Sequence, residues 1–513
     1  MDHTANKLSQ CPSGNPFLDR LDENLSTNNL EEKLQSWPLA KLDMRNLDLQ
    51  SRHDLLDRLQ EQMFEPTLTA LDTATRLYRM IRRGYIGRDP TLVQSRSRAM
   101  TIARYAGKDL RDLPWLPCSA KGMRISGITG LGKSYEILRA LKQLPQKIEH
   151  GKSYAADWNH VTQATWLYVA MSHDGSIGGL LLQILTALDL AIGTNYSSER
   201  SLTNLSNEKL AVHVGIILIN HGVGVLVIDE LQKRNFSGGT RGGLAATFFL
   251  RLLNFGVPIV LMGNPLGMDV LDTFSQDMRR VGSAGNIEMH PLEEADYDFA
   301  DCIAPALWRY NVMPEPSPIS DPNGSLLFKY CGGIRDYGAR IRASSQRLAL
   351  DTGDSFVTEE HMQEAFYGPD FSQRDRDLIA GFRDKNPILL QQFEDIPWER
   401  YAIRWGLFSP QNQENQLSQT KNGKHGDVSM SAQEKESTPT VKARKSVAQQ
   451  AAETAKRNRT RKENQETTRE KIKSTLESKD IRRDGLQEYL ISGLEQLRSS
   501  ENCGNTNFQS KGA

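Results

Sequence analysis

Between Met123 and Leu292 the apolar residues fall in short, nearly unbroken runs, and the stretches between them carry helical spacing. The runs predict strands over Arg124–Ser126, Thr165–Val169, Val225–Ile228, Pro258–Met262 and Ile287–Met289, with a helix from Ile177 to Ile192 after the second. Near-continuous apolar strands alternating with helices indicate a parallel sheet covered on both faces, an α/β architecture. Upstream, Leu68, Leu71, Thr75, Tyr78 and Ile81 recur at helical spacing, and the arginines 76, 79, 82 and 83 lie between them. The run Gly84 to Pro90 then ends that helix. Downstream, from Glu294 to Tyr367, the pattern reads as helices only, over Asp296–Leu307, Leu326–Cys331, Arg335–Ala349 and Glu359–Phe366, with Thr358 as an N-cap.

The ends differ in composition. Residues 1–50 are polar, with Asn, Ser and Pro clusters, and read as flexible apart from a short helix near Glu31 to Leu34. After Ser409 the chain is rich in Lys, Arg, Glu, Gln, Ser and Thr, the composition of a disordered tail or a solvated helix. Leu486, Tyr489, Leu490, Leu494 and Leu497 form an apolar stripe near its end. The expected organisation is a flexible N-terminus (1–50), a helical extension (51–115), an αβα nucleotide-binding domain (116–293), a helical lid (294–375), a C-terminal extension (376–409) and a charged, mostly disordered tail (410–513) with an amphipathic helix near 485–498.

The length of 513 residues exceeds one compact core. An apolar content of 38% fits a chain that is partly not globular. The net charge is zero, so overall charge points to neither nucleic acid nor membrane. The five cysteines are scattered without metal-ligand spacing and read as reduced thiols. The first residues are polar, with no secretion signal, and the longest apolar stretch is broken by Asn220 and His221. The expectation is a cytoplasmic protein without a membrane span.

The strongest chemical signal is Gly127-Ile-Thr-Gly130-Leu-Gly132-Lys133-Ser134, which fits G-x-x-x-x-G-K-[ST] between a predicted strand and a helix. Glycines let backbone N–H groups converge on phosphate oxygens, and the helix N-terminus adds its dipole. Lys133 supplies charge to the β- and γ-phosphates, and the Ser134 hydroxyl ligates Mg²⁺. Gly127, Thr129, Gly130, Leu131, Gly132, Lys133, Ser134 and Tyr135 are the expected nucleotide-binding residues. The run Val225–Ile228 ends in Asp229 and Glu230. Asp229 is the expected Mg²⁺ partner with Ser134, and Glu230 the expected general base toward the attacking water. ATP and Mg²⁺ are therefore the expected cofactors.

Three further positions complete the candidate site. Asn264 closes the run Ile259–Gly263, and in a P-loop sheet with an inserted strand that end lies beside the γ-phosphate. Arg279 and Arg280 precede the last strand, where either could act as an arginine finger on a neighbouring subunit's nucleotide. Arg335, in Gly332-Gly333-Ile334-Arg335, opens a helix from which it could reach bound phosphates.

Together these features resemble the AAA+ ATPases. Within that group the chain resembles the TnsC/TniB-type target-selection ATPases of bacterial transposons. The resemblance lies in Met80-Ile-Arg-Arg-Gly84-Tyr85-Ile-Gly87-Arg88-Asp-Pro90, in Ser172-His173-Asp174-Gly175-Ser176, in Ala187-Leu-Asp-Leu-Ala-Ile-Gly193-Thr194-Asn195-Tyr196, and in Ile228-Asp-Glu-Leu-Gln232. It spans about Leu55 to Phe366. It implies an ATPase that oligomerises as a ring or helical filament on double-stranded DNA and links a target selector of the TniQ/TnsD type, alone or with a guide-RNA complex, to transposase subunits. Hydrolysis would control disassembly and target choice.

By position, the resemblance makes His173, Ser176, Thr194, Asn195 and Tyr196 the DNA contacts. The first of these loops carries no lysine, and the alternative reading of SHDGS is a turn and helix cap. The tail carries eleven basic residues between Lys442 and Lys473, including Arg457, Arg459, Arg461 and Lys462, which could hold phosphate or simply be solvated. Its apolar stripe is read as a partner-docking helix. Two other functions fit the core motifs: an AAA+ helicase loader or replication initiator, and an adaptor that binds ATP only to fold. No winged helix or helix-turn-helix is legible after Phe366, which weighs against the first. A general base at Glu230 weighs against the second.

Overall fold

The computed structural model describes residues 14–407, except 22, 40–41, 43–45, 115–119, 173, 237–240 and 273–278. The expected tail, its basic residues and its apolar stripe lie outside the described residues.

Seven strands are described. Five form one parallel sheet: β1 (Gly122–Ser126), β4 (Trp166–Ala170), β5 (Val225–Leu231), β6 (Ile259–Gly263) and β7 (Gly285–Glu288), in the spatial order β4-β5-β6-β1-β7. β6 is fully buried and β5 is buried at every position but Glu230, which is why both read as unbroken apolar runs. Alternation along each strand feeds two cores. Val225, Val227, Val260 and Met262 face the P-loop helix Lys133–Leu141. Leu226, Ile228, Ile259 and Leu261 face the helices Ile177–Ile192, Asn207–Asn220 and Arg241–Asn254. The helix Ile177–Ile192 falls where its periodicity placed it, and each strand lies within a few residues of its apolar run.

Two elements escape the apolar pattern. β2 (Lys147–His150) and β3 (Val161–Ala164) form an antiparallel pair. β2 buries only Ile148 and His150, so its sequence is too polar and too short to stand out. The helix Asn207–Asn220 merges with β5 in the sequence because both are apolar; the turn at His221 and Gly222 separates them.

The N-terminus departs from the flexible segment expected. From Gly14 onward it is packed, and Phe17, Leu18, Leu21, Leu25, Leu30 and Leu34 are buried in the first core. Asn15 donates from Nδ2 to the Tyr85 carbonyl (2.9 Å), and Gln163 donates to the Phe17 carbonyl (3.1 Å). The Gly84–Pro90 stretch is the other half of this seam. The Tyr85 hydroxyl donates to the Gly222 carbonyl (2.9 Å), and Arg88 donates to the Val223 carbonyl (2.8 Å). Burial pushes the Tyr85 hydroxyl up to about 12.

The helical extension joins two parts of the molecule. Its helix Leu68–Ile86 lies against the P-loop helix, where Tyr78 donates to the Ala140 carbonyl (2.9 Å). Its helix Leu49–Glu61 packs instead on Arg335–Thr352, and Tyr310 donates to the Leu55 carbonyl (2.6 Å). The region after β7 is helical. Where one helix was expected from Asp296, a π-helical stretch Asp298–Ile303 runs into Ala304–Arg309. Then come Ser325–Cys331, Arg335–Thr352 and Glu359–Tyr367, the last with Thr358 and His361 forming a capping box. The helices Gln373–Arg383, Pro387–Leu390 and Trp398–Arg404 follow. Among the described residues no helix is long and apolar enough to cross a membrane.

A Cβ added to Gly84 would stand 2.6 Å from Pro258 Cγ, a ring that cannot rotate away. Gly84→Ala is therefore expected to destabilise the chain by about 1–3 kcal/mol through overpacking. A lowered urea midpoint measures this, and an unchanged midpoint would show that the seam is loose.

Candidate nucleotide site

β1 delivers the chain into the Gly127–Ser134 loop, and Gly130 and Gly132 take φ of 86° and 93°, which glycine adopts without Cβ strain. The loop then enters its helix at Lys133. The Lys133 ammonium donates to the Ile128 carbonyl of its own loop (2.7 Å). Burial pushes Lys133 down, while the carboxylates of Asp229, Glu230 and Asp395 oppose that shift.

Asp229 sits at the end of β5 and is 4% exposed. Its Oδ2 accepts from the Ser134 hydroxyl (2.5 Å) and from the Tyr168 hydroxyl of β4, and its Oδ1 accepts from the Glu230 backbone N–H (2.7 Å). Burial, followed by the bond to Asp229, raises the Tyr168 hydroxyl well above its ordinary range, so it stays a donor. At Glu230 the β5–β6 register slips and φ is 61°, a left-handed conformation uncommon outside glycine. The irregularity turns Glu230 out of the sheet, where Gln232 donates to its Oε2 (2.6 Å).

Asn264 lies at the end of β6, which is inserted between β1 and β5. Its Oδ1 accepts from Leu266 N–H (2.9 Å), and its Nδ2 donates to the Asp395 carbonyl (2.6 Å). Arg335 approaches from the helical region. It donates to Glu136 Oε1 (3.3 Å) and to the Glu65 carbonyl (3.0 Å), and lies 4.8 Å from the Phe64 ring centroid. The adjoining Asp336 N–H donates to the Gly130 carbonyl (3.0 Å), fastening that helix start to the loop.

These residues surround one cavity of about 900 Å³. Gly127, Thr129, Gly130, Gly132, Lys133, Ser134, Tyr135, Asp229, Glu230, Asn264 and Arg335 all line it, as do Glu394 and Asp395. The wall contributed by the helical extension and the lid region is apolar, with Leu59, Met63, Ile303, Leu307 and Ala339. Leu131 does not line the cavity; it is buried under the loop. Neither do Arg279 and Arg280. Arg279 is exposed, and Arg280 donates to Asn254 Oδ1 (2.8 Å).

The expected DNA contacts are not gathered in one place. Ser176 caps the helix Ile177–Ile192 by accepting from Gly179 N–H (3.1 Å), while Thr194 and Tyr196 lie beyond its other end. Sixteen residues separate the two by about 24 Å at 1.5 Å per residue. Thr194 donates to Asp189 Oδ1 (2.7 Å), the Tyr196 N–H donates to the same oxygen (2.8 Å), and the Tyr196 hydroxyl pairs with His221 (3.0 Å). The Asn195 side chain is exposed. His173 lies outside the described residues.

Residues 119–270 match the family described as AAA domain. Over those residues the fold is that of an AAA+ P-loop domain. No curated protein sequence matches the chain. Solved structures similar to it include the Aeropyrum pernix ORC1 protein in complex with DNA, at 16% identity over 68% of this chain and 83% of that one, with a TM-score of 0.35. The Thermotoga maritima RuvB Holliday junction branch migration motor is 13% identical over 63% of this chain and 94% of its own, with a TM-score of 0.32. In this AAA+ core the hydroxyl of Ser134 and the carboxylate of Asp229 are hard oxygen donors side by side, the donor set that suits Mg²⁺ with most of its water shell retained.

Several site residues carry no sequence motif. Glu136 is buried on the face of the P-loop helix, and burial pushes its carboxyl up to about 7, with Arg335 opposing. The folded chain thus holds this proton more tightly than the unfolded chain, whose ordinary value is 4.5. Stability from this group is full at low pH and is lost as pH rises through about 4.5 to 7. Glu136→Gln is expected to remove that loss, so that its stability relative to the native chain rises across the window and levels off above it. Denaturant melts at several pH values read this, and a pH-independent difference would contradict it.

Proposed function

We propose that this chain is a Mg²⁺-dependent ATPase that assembles on double-stranded DNA and links a target selector to a transposase. The observation that carries the ATPase reading is the convergence of Lys133, Ser134, Asp229 and Glu230 on one cavity, with Asn264 and Arg335 at its margins. In this reading the backbone N–H groups of the loop bind the β- and γ-phosphates, and Lys133 leaves the Ile128 carbonyl to join them. Ser134 and Asp229 hold Mg²⁺, which neutralises charge on the phosphates. Glu230 leaves Gln232 and takes a proton from the attacking water, which Asn264 orients. Arg335 exchanges Glu136 for a phosphate oxygen. The apolar wall from Leu59 to Ala339 receives the base.

Arg279, rather than Arg280, is the finger toward a neighbouring subunit, because Arg280 is engaged by Asn254 within its own chain. The transposition role rests on the resemblance of four segments to TnsC-type ATPases. Within it, Ser176 at one end of the helix Ile177–Ile192 and Asn195 at the other meet the duplex backbone at two points about 24 Å apart, some seven base pairs at about 3.4 Å each. Thr194 and Tyr196 shape the second point through Asp189. The selector is of the TniQ/TnsD type, with or without guide RNA, and the tail meets transposase subunits.

ATPase rates with and without duplex DNA, with imaging of the same mixtures, test this reading. Glu230→Gln should bind ATP, hydrolyse it at least about 100-fold more slowly, and give longer-lived rings or filaments on DNA. Faster release from DNA than the native chain would contradict the switch. Arg279→Ala should lower DNA-bound turnover by roughly a thousandfold with ATP binding retained. Arg280→Ala should instead act on stability. The reverse pattern would exchange the two roles.

A further inference from the structure

The segment after the helix Gln373–Arg383 crosses the cavity at its phosphate end and is fixed on both sides. On the lid side, Leu390 fills the space above Gly381, where a Cβ would stand 2.5 Å from Leu390 Cδ2, and the Tyr401 ring meets Phe382 edge-on at 4.9 Å. On the sheet side, Tyr401 meets His290 at 5.9 Å, Arg400 pairs with Asp269 on the helix after β6, and its Nη1 lies 3.8 Å from Glu288 of β7. Between these anchors Glu394 and Asp395 line the cavity together with Lys133, Asp229 and Glu230.

This crossing engages the residue that a γ-phosphate needs. A phosphate oxygen only accepts, so the amide nitrogen of Asn264 is the group that would meet it, while its Oδ1 accepts from Leu266 N–H. That nitrogen donates to the Asp395 carbonyl. Glu394 and Asp395 also border the place where the negative charge of a triphosphate would accumulate, with Asp395 close enough to act on the charge of Lys133, and like charges at short range in a partly enclosed site repel. ADP lacks the γ-phosphate and so has no group to compete for the Asn264 nitrogen.

We propose that residues 387–405 are a strap that ATP, and not ADP, displaces: the γ-phosphate takes Asn264 from the Asp395 carbonyl and drives Glu394 and Asp395 out of the cavity. This deepens the ATPase reading and rests on it. Because the strapped state must open before ATP seats fully, the strap also lowers the apparent affinity for ATP by the fraction of molecules that are open.

Amide hydrogen exchange on the full chain tests this, with no nucleotide, with Mg²⁺–ADP and with a Mg²⁺-bound non-hydrolysable ATP analogue. Peptides covering 127–141 report binding, and those covering 387–405 report the strap. The expected result is protection of 127–141 by both nucleotides and faster exchange across 387–405 with the ATP analogue alone. Protection of 127–141 with unchanged or slowed exchange in 387–405 overturns the strap and leaves the nucleotide site standing. No protection at 127–141 by either nucleotide overturns both. Arg400→Ala, which removes the sheet-side ion pair, is expected to speed exchange in 387–405 without nucleotide and to tighten binding of the ATP analogue a few-fold, about what one partly exposed ion pair supplies. Faster exchange with unchanged or weaker affinity would show that the strap does not compete with ATP.

Discussion

The carboxylate of Asp229 is where three separate parts of the AAA+ core meet. The P-loop helix reaches it through Ser134, the neighbouring strand through Tyr168, and its own chain through the Glu230 N–H. A carboxylate this buried is stable only if its oxygens are satisfied, and these three donors do that, with the Lys133 ammonium close by. The consequence is a fixed spacing across the sheet. β6 lies between β1 and β5, so the loop and the acid are held about two strand spacings apart, near 10 Å. Ser134 must be carried across that gap by the helix, and the polar end of β6, Asn264, necessarily lies in it. At the next position Glu230 leaves the regular ladder with a φ of 61°.

The cavity built on this arrangement is bordered at both ends by chain that lies outside the sheet. At the apolar end, the turn at Met63–Glu65 accepts from Tyr135 and from Arg335, and so touches the P-loop helix and the lid region together. At the phosphate end, the segment around Asp395 touches the end of β6 while packing on the helix Gln373–Arg383. Each polar side chain that would serve a nucleotide already has a protein partner: Lys133 the Ile128 carbonyl, Glu230 the amide of Gln232, Asn264 the Asp395 carbonyl and Arg335 the Glu136 carboxylate. Ligand binding in such a site is an exchange of partners, and the affinity that results is a difference between two well-satisfied states.

What the sequence disclosed and what it hid separate along one physical line. The Gly127–Ser134 loop and the Asp229-Glu230 pair were legible because their chemistry demands particular residue types at fixed, short spacing. The buried strands were legible because burial on both faces leaves no room for polar residues. The packed N-terminus was not, because Phe17, Leu21, Leu25 and Leu30 are spaced among polar residues and find their partners only in three dimensions. Tyr168 gave a weak signal, an aromatic with a polar tip in an otherwise apolar strand, but nothing local points to Asp229. The role of Asp395 was invisible in principle, since a backbone carbonyl belongs to every residue. The two ends of the helix Ile177–Ile192 were read from resemblance, although the helix expected between them already implies that they lie apart.

The seam that fastens the N-terminus has an effect during synthesis. Phe17 and its neighbours are made before the residues that hold them: the carbonyl of Phe17 is bonded by Gln163, 146 residues later, and Tyr85 waits for Gly222, 137 residues later. At about 5–20 residues per second, the leading apolar residues spend roughly 7 to 30 seconds without their native partners. Throughout that interval they are exposed apolar surface on a nascent chain, the condition in which holding chaperones bind and in which a slowed ribosome favours aggregation.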